Sequence, residues 1–356
     1  MRPSTAVGDA GLAPPLARPQ VRHPFARPAP ACGTGRWCGR LDRSTWNSYV
    51  IEPLDAGVVV PPRLRMVSRR CAIAGPRART AAPESAPVAR YRGFAQAADA
   101  AASGVRLVPL TVTVAGRAYR DTEVEAATLA AGRRTTAGPP PGEFLAALHD
   151  ARDGAVIVTV ATALSSTNAS ARTAAALHDI DVEVVDSGSA AGGQTLVALA
   201  AAERARDGGR VVDVAEAARA AAAEVRLIGC LQSLDGLART GRVPGLAVAA
   251  ARASGLRFLF TLRNGVIRPM RPATSHAAAI DRMVDLCVST GAPGAVVDVV
   301  ALGEAAGLER RLAAAADVGR LTIGRAITAD FGTAISLYTG PHVTGLAWRW
   351  RAGVVP

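Results

Sequence analysis

Residues 155–168 read AVIVTVATALSSTN, and this segment is the clearest indication of the fold class. Its first half is a run of β-branched and small apolar residues, which is typical of a strand buried on both faces. We therefore predict a strand over 155–161. A loop rich in hydroxyl side chains follows, and the pattern then predicts a helix over 168–178. A buried strand, a short loop and a helix in this order indicate a parallel α/β unit.

The alternation of strand-like and helix-like segments continues on both sides of this unit. Upstream, we predict a short helix at 94–103, a buried strand at 106–114 and a helix at 142–152. Downstream, we predict a strand at 182–186, a helix at 193–206 and a helix capped by Asp213 that ends near 225. Short connections between such elements predict an α/β domain with a mainly parallel sheet over residues 93–230.

A different pattern begins near residue 226 and predicts a second α/β domain over 231–356. The dipeptide Asn264-Gly265 lies between two apolar runs, which indicates a hairpin and therefore a mixed sheet. The predicted strands are 226–230, 257–262, 266–270, 296–302 and 320–327, and the predicted helices are 275–289 and 304–316.

The N-terminal quarter, residues 1–92, has a different composition. Residues 1–90 hold 13 of the 23 prolines, and residues 1–92 have a net charge of +10 out of the total of +12. No apolar periodicity persists there, so we predict a disordered or mistranslated basic tail. The remaining 264 residues have a net charge of only +2, and aromatic residues make up 4% of the chain. These values give no support to nucleic-acid binding.

Several other functional classes lack their sequence signals. No run of about 18 uncharged apolar residues exists, so no integral membrane association is expected. The five cysteines form no CxxC pair, and the five histidines show no metal-ligand spacing, so no metal or cofactor is expected. The chain also lacks a P-loop and a GxSxG elbow. We expect a cytoplasmic protein with reduced thiols.

Two loops rich in hydroxyl groups are the candidate site. One loop, 162–168, follows the carboxyl end of a predicted parallel strand, where open α/β sheets bind ligands. The other, 135–141, reads TTAGPPP and precedes the helix at 142. Hydroxyls and free N–H groups at helix N-termini suit a carboxylate or a phosphate. The simpler alternative is that Ser165 or Thr167 only caps its helix.

Taken in order, the motifs of residues 104–350 resemble those of the DegV family of fatty-acid-binding proteins. VRLVPL at 105–110 followed by YRD at 119–121 resembles the first "VVPL … YRD" segment of the family. TAGPPP at 136–141 lies at the "TSxPxP" loop, LSSTNASA at 164–171 at "LSGTxxSA", and VDS at 185–187 at "DS". The segment 234–242 resembles "LxxLxRGGR", and TGP at 339–341 resembles the final "HTGPG".

The resemblance implies a two-domain α/β fold that buries a long-chain fatty acid and does not act as an enzyme. In that family, hydroxyls of the two loops hold the carboxylate, which here implies Thr136, Ser165 and Thr167. Tyr338 stands at the position of the histidine near the head group. The resemblance also implies a fatty-acid kinase as a partner, which phosphorylates the bound acid.

The sequence departs from the family pattern at several positions. Ala137 replaces a hydroxyl residue, Ser166 replaces a glycine, Tyr338 replaces the histidine, and His342 replaces the last glycine. The "TDS" strand that opens the family pattern is missing from residues 80–104, which predicts a gap or an exposed edge in the sheet. Ser166, in place of the glycine, would strain the backbone if its φ were positive.

Two further functions stay open on the sequence alone. The first is a small-molecule enzyme acting on an anionic substrate, with Asp186 or His342 as its general base. The second is a degenerate relative that no longer binds a ligand.

Overall fold

Strands and helices alternate along much of the chain and form α/β units. The computed structural model describes residues 48–51, 95–96, 105–121, 123–124, 134–235, 254–340 and 342–351. Within these residues the strands are β1 (Ser48–Ile51), β2 (Ala95–Gln96), β3 (Val105–Val108), β4 (Thr111–Val114), β5 (Arg117–Arg120), β6 (Arg134–Ala137), β7 (Ala155–Thr159), β8 (Val182–Asp186), β9 (Arg226–Leu231), β10 (Phe258–Arg263), β11 (Val266–Pro269), β12 (Val296–Gly303), β13 (Thr322–Ala329) and β14 (Val343–Arg351). The helices are α1 (Pro141–Leu148), α2 (Thr167–Ala176), α3 (Ala191–Arg206), α4 (Val211–Glu224), α5 (His276–Ser289), α6 (Ala306–Asp317) and α7 (Thr333–Thr339).

The first sheet has the strand order β3-β1-β7-β8. All five residues of β7 are buried, as the apolar run predicts, and β7 pairs in parallel with β8. Strand β1 pairs antiparallel with both β3 and β7. Three of the four strands therefore run in the same direction, and β1 runs against them.

Strand β1 corrects the prediction for the N-terminal quarter. Ser48–Ile51 lies inside 1–92 and forms a strand where a disordered or mistranslated tail is predicted, and the interpretation of 1–92 as a whole stays a prediction. The predicted gap is also absent, because β1 occupies the position between β3 and β7. Every other residue of 1–92 lies outside the described part of the chain.

The second sheet has seven strands in the order β11-β10-β9-β14-β12-β13-β2. It is mixed, as predicted: β12 pairs in parallel with β13 and β13 with β2, whereas β9, β10, β11 and β14 pair antiparallel with their neighbours. Asn264 and Gly265 both have positive φ, at 51° and 74°, and form the predicted hairpin turn between β10 and β11. The helix predicted over 94–103 is wrong at β2, and its other residues lie outside the described ranges.

A third sheet of three antiparallel strands, β5-β4-β6, was not predicted. The single strand expected over 106–114 is instead two strands in two sheets, β3 and β4. Pro109 lies at the break, where its missing N–H group and fixed φ interrupt strand pairing. Asp213 also differs from its prediction, since it is the third residue of α4 and accepts the N–H of the cap residue Arg210.

The two larger sheets share one helical layer between them. Val156 and Val158 of β7 and Val300 and Leu302 of β12 belong to one core together with the buried face of α3. Alternate residues of β7 point the other way, toward α1 and α2. Alternate residues of β12 point toward α5 and α6. This layering confirms the α/β fold class, while the boundaries at 92/93 and 230/231 stay predictions.

Candidate functional site

Ser165 and Thr167 meet at the start of α2, just after the carboxyl end of β7. Ser165 Oγ lies 2.8 Å from Thr167 Oγ1 and accepts the N–H of Thr167 at 3.3 Å. Thr167 is fully buried. Ser166 is the N-cap residue, makes no capping bond with its side chain, and has a φ of −72°. The replacement of glycine by Ser166 therefore introduces no backbone strain, and Ser165 takes over part of the capping role.

Thr136 and Tyr338 form the second hydroxyl pair. Thr136 lies on β6, opposite the buried Val112 of β4, and its Oγ1 is 2.5 Å from the hydroxyl oxygen of Tyr338 on α7. Helix α7 is held against the third sheet by a small apolar cluster that includes Val112 and Ala334. The sequence separation of 202 residues shows that tertiary packing, and not local geometry, makes this contact.

Gly138 brings the two hydroxyl pairs together. A Cβ atom at this position would lie 2.8 Å from Thr167 Oγ1 and 3.3 Å from the Cα atom of Thr167. The backbone two residues after Thr136 therefore contacts the first residue of α2 directly. Because two residues span at most about 7 Å, the structure collects all four predicted residues, Thr136, Ser165, Thr167 and Tyr338, at one place.

The hairpin of the second sheet contacts the same loops. The N–H of Gly265 donates to the carbonyl of Gly188 at 2.6 Å, and Gly188 packs closely against the backbone of Asn264. A Cβ atom on Gly265 would lie 3.3 Å from that of Ala163. The β10–β11 turn thus holds the loops that leave β7 and β8.

Asp186 has a role in this loop structure. Its Oδ2 accepts the N–H of Thr162 at 3.1 Å, and its Oδ1 accepts the N–H of Gly188 at 2.8 Å. Both carboxylate oxygens are therefore occupied by backbone donors. His342, the other candidate base, lies elsewhere, with its Nδ1 2.6 Å from Glu304 Oε1.

Asn168 is a residue of this region that the sequence reasoning did not single out. It is buried at the second position of α2, donates to Thr159 Oγ1 at 2.9 Å, and accepts from Arg172 Nε at 3.0 Å. It therefore ties the start of α2 to the end of β7. Its position directly after the hydroxyl loop could have indicated this role. A polar side chain that is buried there needs hydrogen-bond partners.

Neither a metal site nor a membrane span is found among the described residues. They contain no group of three or more His, Cys, Asp or Glu side chains placed to hold a metal ion. No helix in the same ranges is long and apolar enough to cross a bilayer.

Comparison with known proteins identifies the family. The family model described as "Uncharacterised protein, DegV family" matches residues 95–350. A DegV domain-containing protein of Streptomyces coelicolor is 32% identical over 255 residues, which cover 68% of this chain and 90% of that protein.

Solved structures show the same fold. A DegV family protein from Thermus thermophilus, described by its fatty-acid binding, superposes with a TM-score of 0.63 at 24% identity, over 72% of this chain and 96% of that chain. The fatty acid kinase B3 protein of Streptococcus pneumoniae, loaded with linoleic acid, gives a TM-score of 0.58 at 21% identity, over 68% and 90% of the two chains. With the family model matching more than two thirds of its length, the chain belongs to the DegV family.

Proposed function

We propose that this protein binds a long-chain fatty acid and holds its carboxylate with the hydroxyls of Thr136, Ser165, Thr167 and Tyr338. The observation that carries the proposal is the contact between Gly138 and Thr167, which places the two hydroxyl pairs side by side. The solved relatives from T. thermophilus and S. pneumoniae, described with fatty acids, support the choice of ligand.

The hydrogen bonds of the two pairs leave donors for a carboxylate. A carboxylate only accepts hydrogen bonds, whereas each hydroxyl can donate one and accept others. Thr136 can accept from Tyr338 and turn its own hydrogen toward the ligand. Ser165 accepts the N–H of Thr167 and can likewise donate its hydrogen. Two donors, one from each pair, match the two oxygens of a carboxylate, and bonds to a charged acceptor are the stronger kind.

The acyl chain needs apolar walls beside this cluster. Leu164 precedes Ser165. Its side chain is partly buried and packs against the core that includes α3, between the two larger sheets. Phe258 and Phe260 of β10 and Leu234 pack on the same core and are also only partly buried. We place the acyl chain along these side chains. Since each buried methylene contributes about 0.8 kcal/mol, chain length contributes strongly to affinity.

We further propose that the protein is a carrier and not an enzyme, and that it presents its fatty acid to a fatty-acid kinase in the cytoplasm. The S. pneumoniae relative, described as a fatty acid kinase B3 protein, supports this partner. Asp186 gives no support to the enzyme alternative, because two backbone N–H groups occupy its carboxylate.

Mass spectrometry of the purified full chain tests the proposal. We expect native spectra to show a bound mass and denaturing spectra to release a fatty acid. Ser165→Ala should reduce the bound fraction after incubation with added fatty acid. Ser289→Ala is the matched control, because Ser289 is exposed on α5 and its hydroxyl donates only within its own helix. A folded protein that neither carries nor takes up fatty acid would contradict the proposal and would mean that this family member does not bind the ligand.

A further inference from the structure

A polar cavity opens where four neighbouring strands of the seven-stranded sheet end or begin. Phe258 and Val343 both pair with Leu231, so Arg257 and His342 flank Gln232 from either side. The N–H of Glu304, at the end of β12, donates to the carbonyl of Val343 at 3.1 Å. The cavity has a volume of about 180 Å³ and is lined by Cys230, Gln232, Arg257, His276, Glu304 and His342.

This cavity is separate from the proposed fatty-acid site. Cys230 belongs to the core between the sheet and helices α5 and α6. Leu231, the next residue of β9, belongs to the core on the opposite face, where Phe258 and Phe260 also pack. The sheet therefore lies between the cavity and the proposed path of the acyl chain.

The cavity lining holds one permanent charge of each sign, the guanidinium of Arg257 and the carboxylate of Glu304, and the two differ in how they are engaged. Glu304 is already engaged by His342, with 2.6 Å between the carboxylate oxygen and Nδ1. Arg257 is half-buried, and its Nη1 donates to the carbonyl of Gly255 at 3.2 Å. Among the described residues, no carboxylate forms an ion pair with this guanidinium. His276, the first residue of α5, adds an imidazole to the same wall.

The floor of the cavity is a buried and neutral thiol. Cys230 is 2% exposed and forms no disulfide. Burial raises the pKa of the Cys230 thiol to about 11, and the nearby charge of Arg257 lowers it by a smaller amount. The thiol therefore adds no negative charge to oppose an anion.

We propose that this cavity binds a phosphate group, either inorganic phosphate or the phosphate of a small phosphomonoester. Arg257 supplies the charge and a planar pair of donors, which suits phosphate oxygens. His276 adds an imidazole N–H donor, and Glu304 Oε1 lies 2.6 Å from Nδ1 of His342 beside it. A phosphate has four oxygens and can accept from the guanidinium and from the His276 imidazole at the same time.

Calorimetric titration of the full chain tests this site with two probes, inorganic phosphate and glycerol 3-phosphate. We expect one binding site, with affinity at least tenfold weaker in Arg257→Gln and several-fold weaker in His276→Gln. Arg152→Gln removes the same charge at an exposed residue between α1 and β7 and should bind like the wild type. Tighter binding of glycerol 3-phosphate would identify the ligand as an ester, and equal binding would identify phosphate itself.

Two results would overturn the proposal. One is the absence of binding for both probes. The other is an equal loss of affinity in Arg152→Gln, which would mean that anion binding depends only on the net charge of the protein. A thermal melt of each variant shows whether it is folded. If Arg257→Gln does not fold, the affinity of His276→Gln decides whether the cavity binds phosphate. Fatty-acid uptake, measured on the same variants, should stay unchanged, so the two proposals fail independently.

Discussion

The hydroxyl oxygen of Tyr338 lies 2.5 Å from Oγ1 of Thr136, across 202 residues of sequence. This contact joins helix α7 to the edge of the three-stranded sheet at the proposed carboxylate site. The family pattern has a histidine at this position, and a tyrosine can still donate a hydrogen bond there. Tyr338 thus keeps a hydrogen-bond donor at the proposed carboxylate site, without the positive charge that a histidine can carry.

Removing only the hydroxyl of Tyr338 should weaken fatty-acid binding. We expect Tyr338→Phe to raise the Kd for a fatty acid about tenfold, because a hydrogen bond that supports a charged group contributes about 1.5 kcal/mol. Displacement of a fluorescent fatty acid measures the change. Thr136→Val should have a similar effect, and the double variant should lose less than the sum, since both remove the same contact. Fully additive losses would show that the pair does not act together.

Gly138 should tolerate no side chain. Gly138→Ala would place a Cβ atom 2.8 Å from Thr167 Oγ1 and push the two loops apart. We expect a loss of about 1–3 kcal/mol in the free energy of unfolding and weaker fatty-acid binding. Gly142→Ala is the matched control, because nothing lies within 4 Å of its Cβ position and it is inside α1. An alanine there should be neutral or stabilising by up to about 1 kcal/mol. Urea unfolding of both variants measures the difference, and equal stability would contradict the close contact.

The elements with strong periodicity were predictable from the sequence, and the exceptions have physical causes. Strands β7, β8 and β12 and helices α3 and α5 lie within two residues of their predicted bounds. Their apolar runs specify burial on one face or on both. The split between β3 and β4 was missed because the strand signal continues through Pro109, and only the sheet pairing shows where it breaks.

The position of β1 could not be predicted from local sequence. SYVI at 48–51 is a short segment between stretches without periodicity, so its pairing depends on the open position between β3 and β7. We expect a chain that begins at residue 88 to melt at a lower temperature than one that begins at residue 41. Loss of a central strand exposes the edges of both neighbours, which also favours aggregation. Equal melting temperatures would show that Ser48–Ile51 adds no stability.

The four site residues were predicted individually, but not their geometry. Sequence position placed Ser165 and Thr167 at a helix start, whereas the contact of Thr136 with Tyr338 needs the third sheet, which was not predicted. The role of Gly138 follows only from the distance to Thr167. Pairings over long sequence separations carry no local signal, and this limited the prediction of the site.

The buried thiols of Cys230 and Cys287 should resist alkylation. Their high pKa values should also make the free energy of unfolding smaller at high pH. Burial raises the pKa of Cys287 to about 12 and that of Cys230 to about 11. Both thiols stay protonated in the folded state at pH 10, whereas the unfolded chain loses these protons above its ordinary pKa of about 8.5. The unfolded state therefore binds fewer protons, and the free energy of unfolding falls as pH rises from 8 to 10. Unfolding measured at these pH values should show a smaller fall in Cys287→Ala, and an unchanged fall would contradict the assignment.

Asp298 should be far more important for stability than the surface ion pairs. Its side chain is fully buried on β12, and its Oδ2 lies 2.8 Å from Arg351 Nε and 3.5 Å from Arg349 Nη2. Removing the carboxylate leaves Arg349, with a side chain only 13% exposed, without that partner. We expect Asp298→Ala to cost about 3–5 kcal/mol in the free energy of unfolding.

The exposed pair of Arg106 and Asp150 is the control for Asp298. Its N–O distance is 3.2 Å, but the two side chains are 37% and 68% exposed. Solvent screens such a pair, so Asp150→Ala should cost at most about 1 kcal/mol. Urea unfolding of both variants, at the same pH and salt concentration, compares them directly. Similar costs would mean that water reaches Asp298 in the folded protein, because only a dry environment makes the loss of one partner so expensive.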